Sequence, residues 1–155
     1  MTEERSELKL FTVEQANQAL PLVRAIVKDL VDLSREVFER RQRLASLHGN
    51  RPRTASDVYS EELRQVEEEV ERDTERLQEF AEELRTLGVE PKSGLEGLVD
   101  FPSTMDGRVV YLCWRLGEPE VLHWHELDAG FAGRQPLVVE SGAGGNSPGD
   151  QRADG

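Results

Sequence analysis

Cysteine is almost missing: Cys113 is the only one in 155 residues, so no internal disulfide can form and the fold depends on no oxidising compartment. Long apolar runs are missing too. No stretch approaches the roughly 20 apolar residues that cross a bilayer, and the opening MTEERSELKLF lacks the apolar core and small-residue cleavage site of a secretory signal. A soluble, cytoplasmic protein is expected. Positive charge is scarce: 19 Lys and Arg against 31 Asp and Glu leave a net charge of -12. Such a chain repels polyanions, which excludes nucleic acid and anionic membranes as its main partners. Only Lys9, Lys28 and Lys92 are lysines. There is no CxxC, HExxH or GxSxG, no dinucleotide fingerprint, no P-loop and no solenoid-length repeat.

What is present divides at about residue 88. Thr12-Val13-Glu14-Gln15 has the form of a capping box, in which the Thr12 hydroxyl accepts from the amide three residues on while Gln15 reaches back. Pro21 lacks an amide hydrogen and crowds the preceding turn, so the pattern predicts a short N-terminal helix over 13–19 and a fresh one over 21–47. In the second of these, Val23, Ile26, Val27, Leu30, Leu33, Val37, Leu44 and Leu47 recur at three- and four-residue steps and form one stripe. Gly49 and Pro52 break the pattern. It resumes near Val58 with Leu63, Val66, Val70, Leu77, Phe80, Leu84 and Leu87, interrupted by Asp73 and ended by Gly88.

Arginines on the first long helix face a second helix crowded with glutamates, so an antiparallel, coiled-coil-like hairpin over 12–88 is expected. Beyond it β-branched and aromatic residues increase. Leu98–Phe101, Arg108–Arg115 and Val121–His125 read as a three-stranded antiparallel meander, with Asp106-Gly107 as a hairpin turn and Gly117-Glu118-Pro119 as the second connection. The fold class is therefore α+β, one domain over 1–138, followed by a disordered tail over 139–155 that has almost nothing apolar to bury.

Reactive side chains concentrate in the β region. In Val121-Leu122-His123-Trp124-His125 the two histidines are two apart, so on a strand both face one side while Leu122 and Trp124 face the other. A loop pairing Arg115 with Val121 sets Cys113 opposite His123 and Tyr111 opposite His125. Imidazole, thiolate and carboxylate are natural ligands of zinc or iron, so His123, His125, Cys113, Glu126 and Asp128 are the candidate ligands of a divalent ion. The plainer account has the histidines packed on the helices or hydrogen-bonded to carboxylates across the sheet. Cys113, flanked by Leu112 and Trp114, reads as a small core residue rather than a nucleophile.

Gly130-Phe131-Ala132-Gly133-Arg134 is the most distinctive loop. Its glycines permit close backbone approach, and Arg134 offers a planar fork for a carboxylate or phosphate. Gly130, Gly133, Arg134, Asp100 and Arg115 are thus candidates for holding a small anion. The alternative is structural, with Phe131 plugging the core and Arg134 bridging to a buried carboxylate such as Asp100. Trp114 and Trp124 share the apolar parity of their strands and belong against the helices.

Phe11-Thr12-Val13-Glu14-Gln15-Ala16-Asn17 with Leu20-Pro21, Gly97-Leu98-Val99-Asp100-Phe101-Pro102, Leu112-Cys113-Trp114-Arg115-Leu116-Gly117-Glu118, and Trp124-His125 before Gly130-Phe131-Ala132-Gly133-Arg134 together resemble the bacterial domain-of-unknown-function family 2203, over about residues 8–138. The resemblance implies a stand-alone domain and carries over no activity or site residues. On the residues alone, the first functional reading is a non-enzymatic interaction or regulatory protein, binding a protein partner or itself through the hairpin. The break at Asp73 and the leftover apolar residues Val31 and Phe38 motivate it. The alternatives are a metal-binding protein, as a hydrolase or redox sensor, and a small-anion binder at the glycine loop.

Overall fold

A computed structural model describes residues 9–49 and 57–137. Two helices, α1 (Val13–Gly49) and α2 (Asp57–Thr86), precede a five-stranded antiparallel sheet whose strands lie in chain order: β1 (Glu90–Ser93), β2 (Leu98–Met105), β3 (Arg108–Arg115), β4 (His123–His125) and β5 (Gln135–Pro136). The α+β class holds. The expected loop between the helices and the expected tail over 139–155 fall outside the described residues, apart from the loop's first residues.

The capping box forms as read, with the Gln15 amide donating to Thr12 Oγ1 and the Thr12 amide donating to Gln15 Oε1, both at 3.0 Å. The short N-terminal helix does not form separately, because α1 runs straight through Pro21. A mid-helix proline costs about 3 kcal/mol. Ala16 and Leu20 before it, and Val23, Ile26 and Val27 after it, are all buried in one core. Each large side chain among them contributes roughly 1.5–3 kcal/mol. Breaking the helix would take one flank out of the core, so packing overrides the proline, whose ring points to solvent. At the end of α2, Gly88 takes φ 90° while its amide donates to the Arg85 carbonyl and that of Val89 to the Leu84 carbonyl, a glycine-dependent stop.

The two helices pair antiparallel, with Arg43 on Glu62 at 3.0 Å and His48 beside Glu67 at 3.4 Å. Asp73, the break in the seam, accepts from Arg40, whose guanidinium also lies 3.7 Å from Glu69. Val31 is 1% exposed, packed in the core, so of the features that motivated an interaction surface only Phe38 is exposed. Among the described residues no helix is long and apolar enough to cross a membrane.

The three-stranded meander is the centre of a wider sheet. Asp106-Gly107 turns with φ of 54° and 80°, both positive, the geometry a two-residue hairpin needs, and it sets Met105 opposite Arg108. β1 and β5 flank this centre, and both contain a proline, tolerated on an edge where one row of amides needs no partner. The third strand starts at His123 instead of Val121, since the Val121 amide is taken by Asn17 Oδ1 on α1 at 2.7 Å. One face of the sheet carries Val99, Phe101, Leu112 and Trp114 into the helical core, with Trp124 packed against them, as their parity requires.

Candidate metal centre

On the opposite face the strands present polar side chains. Asp100 pairs with Cys113; Cys113 pairs with His123 and Tyr111 with His125, and these last two pairings are the register expected from the sequence. His125 reaches diagonally to Asp100, Nε2 standing 3.1 Å from Oδ1. Asp100, Cys113 and His125 are each 2% exposed, and one ligand atom from each lies within 4.8 Å of the other two. Bonds of about 2.0–2.3 Å set neighbouring ligand atoms of a tetrahedral zinc ion roughly 3.3–3.7 Å apart. An ion would draw donor atoms that now lie within 4.8 Å of one another together by up to roughly 1 Å.

The hydrogen bonds of His125 fix how its ring is used. Nδ1 lies 2.7 Å from the Glu126 carbonyl oxygen, which only accepts, so Nδ1 carries the proton and donates. Nε2 then turns toward a carboxylate oxygen, and two lone-pair groups at 3.1 Å need a cation between them. A proton shared with Asp100 satisfies this, and so does a metal ion. A backbone carbonyl holding the far nitrogen is also the usual support of a metal-ligating histidine.

Burial pushes the Asp100 carboxyl above its ordinary range, against the opposing pull of His125 and Lys92. Burial likewise pushes the Cys113 thiol up to about 11, although Arg134 opposes it. Without a metal, Cys113 is a protonated thiol and no nucleophile.

The other candidates from the sequence go elsewhere. Arg134 grips Glu118 with both terminal nitrogens and stands 3.8 Å from the Cys113 sulfur. Its carboxylate partner is therefore Glu118, not Asp100. Asp100 takes His125 where an arginine was expected. Phe131 does not plug the core: it lies on the surface between Arg134, 4.4 Å from its ring centre, and the exposed Arg115, at 5.7 Å. Gly130, at φ 68°, opens the 3-10 turn Phe131–Gly133, and a side chain at Gly133 would meet the Ala129 Cβ at 2.8 Å. Glu126 is engaged by Arg108, Nε to Oε1 at 3.1 Å, and Asp128 is exposed. His123 shares the face with the cluster but leans to Glu118, and its Nδ1 is buried with no hydrogen-bond partner among the described residues.

Sequence reasoning placed Asp100 among the ligand-binding residues and missed it as a partner of Cys113 and His125. The signal was present. A two-residue turn at Asp106-Gly107 sets Met105 opposite Arg108, and counting back five residues sets Asp100 opposite Cys113. Glu118 carried no comparable signal, since a turn glutamate is usually solvated.

A family model described as an uncharacterized conserved protein, DUF2203, matches residues 9–137. The chain belongs to this family. The DUF2203 match takes in both helices and all five strands, so the buried cluster lies inside the family's own domain. No curated protein and no solved structure matches.

Proposed function

We propose that this DUF2203 domain is a metal-binding protein that holds one divalent transition-metal ion through Asp100, Cys113 and His125. The observation that carries the reading is the convergence of three different donor types, buried on three adjacent strands, within 4.8 Å of one another. A mixed sulfur, nitrogen and oxygen set suits zinc first and ferrous iron second. Cys113 and Asp100, both ionised on the metal, would balance its two charges. Three protein donors leave a fourth tetrahedral position for water or an outside ligand, the arrangement that Lewis-acid catalysis and ligand sensing both require.

Elemental analysis of untagged protein, purified without chelator, tests this directly. About one equivalent of zinc or iron is expected, falling below about a tenth in His125→Ala and Cys113→Ser. Cobalt(II) added to chelator-treated protein should give intense visible bands and a near-ultraviolet sulfur-to-cobalt band that Cys113→Ser abolishes. Wild-type protein that is folded by circular dichroism yet takes up neither ion would refute the reading.

A further inference from the structure

A second feature lies beside the cluster. Lys9, the end of α2 at Arg85 and Gly88, Glu90, Pro102 and Tyr111 line a groove of about 330 Å³, at the small end of ligand-sized cavities. Glu90, Pro102 and Tyr111 belong to the polar face of the sheet, in register with Asp100 and His125. Tyr111 touches both places, lining the groove and packing its ring at 5.5 Å and 54° against that of His125.

The charge around this groove runs against the rest of the molecule. The sequence holds three lysines and a net charge of -12, yet one of those lysines lines the groove and a second stands over Tyr111, which lines it too. Lys9 lines the groove with its ammonium 5.0 Å from the Phe11 ring centre, and Lys92 holds its own 5.8 Å from the ring centre of Tyr111. Neither is in an ion pair among the described residues, whereas Lys28 is paired with Asp32 at 2.8 Å. The groove's acid, Glu90, faces Arg85 at 3.5 Å. Two ammonium groups facing aromatic rings, beside a Glu90 that stands opposite Arg85, itself also 3.3 Å from Glu82, offer charge that suits an oxyanion. In a strongly acidic protein such a patch is needed, because the general field turns anions away and only charges within about a Debye length, roughly 8 Å, reverse it.

We propose that this groove binds a small organic anion, a carboxylate or a phosphate monoester, whose charge is held by Lys9 and Lys92 and whose body lies against Tyr111. The site stands on its own residues; only the further idea that Tyr111 brings this anion next to a bound ion rests on the metal reading.

The test uses the full chain after chelator treatment, so that anion binding is read without a metal. Isothermal titration at low salt with inorganic phosphate and, separately, with succinate should show saturable one-site binding of at least one probe, and the stronger probe names the class. Lys9→Gln/Lys92→Gln should weaken it at least tenfold while leaving circular dichroism unchanged. Lys28→Gln, outside the lining of the groove, should change the affinity less than twofold. No saturable binding of either probe, an unchanged affinity in the double variant, or an equal loss in Lys28→Gln would overturn the proposal. Metal content is measured on the same preparations, so the metal reading and the groove stand or fall separately.

Discussion

The two faces of one sheet follow opposite rules. Val99, Phe101, Leu112 and Trp114 on the helical side are buried with apolar neighbours, and their burial drives folding. Asp100, Cys113 and His125, one residue out of step on the same strands, are buried as deeply, but each carries a group that costs free energy to take from water and must be repaid by a partner. Stability alone is served as well or better by apolar residues at those three positions. A cluster held in place against that tendency, with its histidine tied from behind by a carbonyl, marks the face where chemistry is to be sought.

The largest expected effect lies on the helical face. Trp114 is wholly buried, and its ring nitrogen donates to the Glu118 carbonyl at 3.0 Å. Trp114→Ala should lower stability by about 3–5 kcal/mol, read by urea denaturation, while the protein that stays folded takes up metal as before. A loss under about 1 kcal/mol would show that this face is not the core it resembles.

The double replacement Asp100→Leu/His125→Phe probes the other face. Removing both members of a buried polar pair for apolar groups is commonly neutral or stabilising by up to about 4 kcal/mol. Chelator-treated protein should therefore keep or gain stability, while metal uptake disappears. If this variant loses as much as Trp114→Ala, the polar face is a structural core in its own right and the contrast between the faces collapses.

The same contrast decides what could be read from the sequence. Apolar periodicity reports burial, so the helical stripes, the central strands and the inward tryptophans were all legible. Alternation about Trp124 and the pairing of Arg115 with Val121 across the Gly117-Glu118-Pro119 connection even supplied the register that faces Cys113 with His123. The edge strands were not legible: Glu90-Pro91-Lys92-Ser93 and Gln135-Pro136 are short and carry no apolar alternation, and a proline in such a run gives no sign of a strand. Pro21 misled for the converse reason, since its local cost is outweighed by burial on both sides, which no local pattern displays. Partner choice on the polar face was the hardest to see. Asp100 was expected to take an arginine because charge suggests one, whereas the diagonal of the sheet put His125 there and left Arg134 to a glutamate from the neighbouring turn.

That glutamate provides the smallest effect and the finest test. Burial pushes the Glu118 carboxyl upward, but the Arg134 guanidinium, the Arg115 amide and His123 together hold it below its ordinary value of 4.5. A carboxylate depressed in the folded state contributes stability that is present above its unfolded pKa and drains away as pH falls through the folded one. Wild type should therefore lose this contribution below about pH 4.5. Glu118→Gln keeps the shape but gives up the charge on which Arg134 closes, and should cost about 1–2 kcal/mol at neutral pH. The gap between the two proteins, followed by urea denaturation, should narrow as the pH is lowered toward about 3 and the wild-type carboxylate takes up a proton. A gap of constant size down to that pH would mean that the Arg134–Glu118 contact covers the polar face by its packing, with charge contributing little.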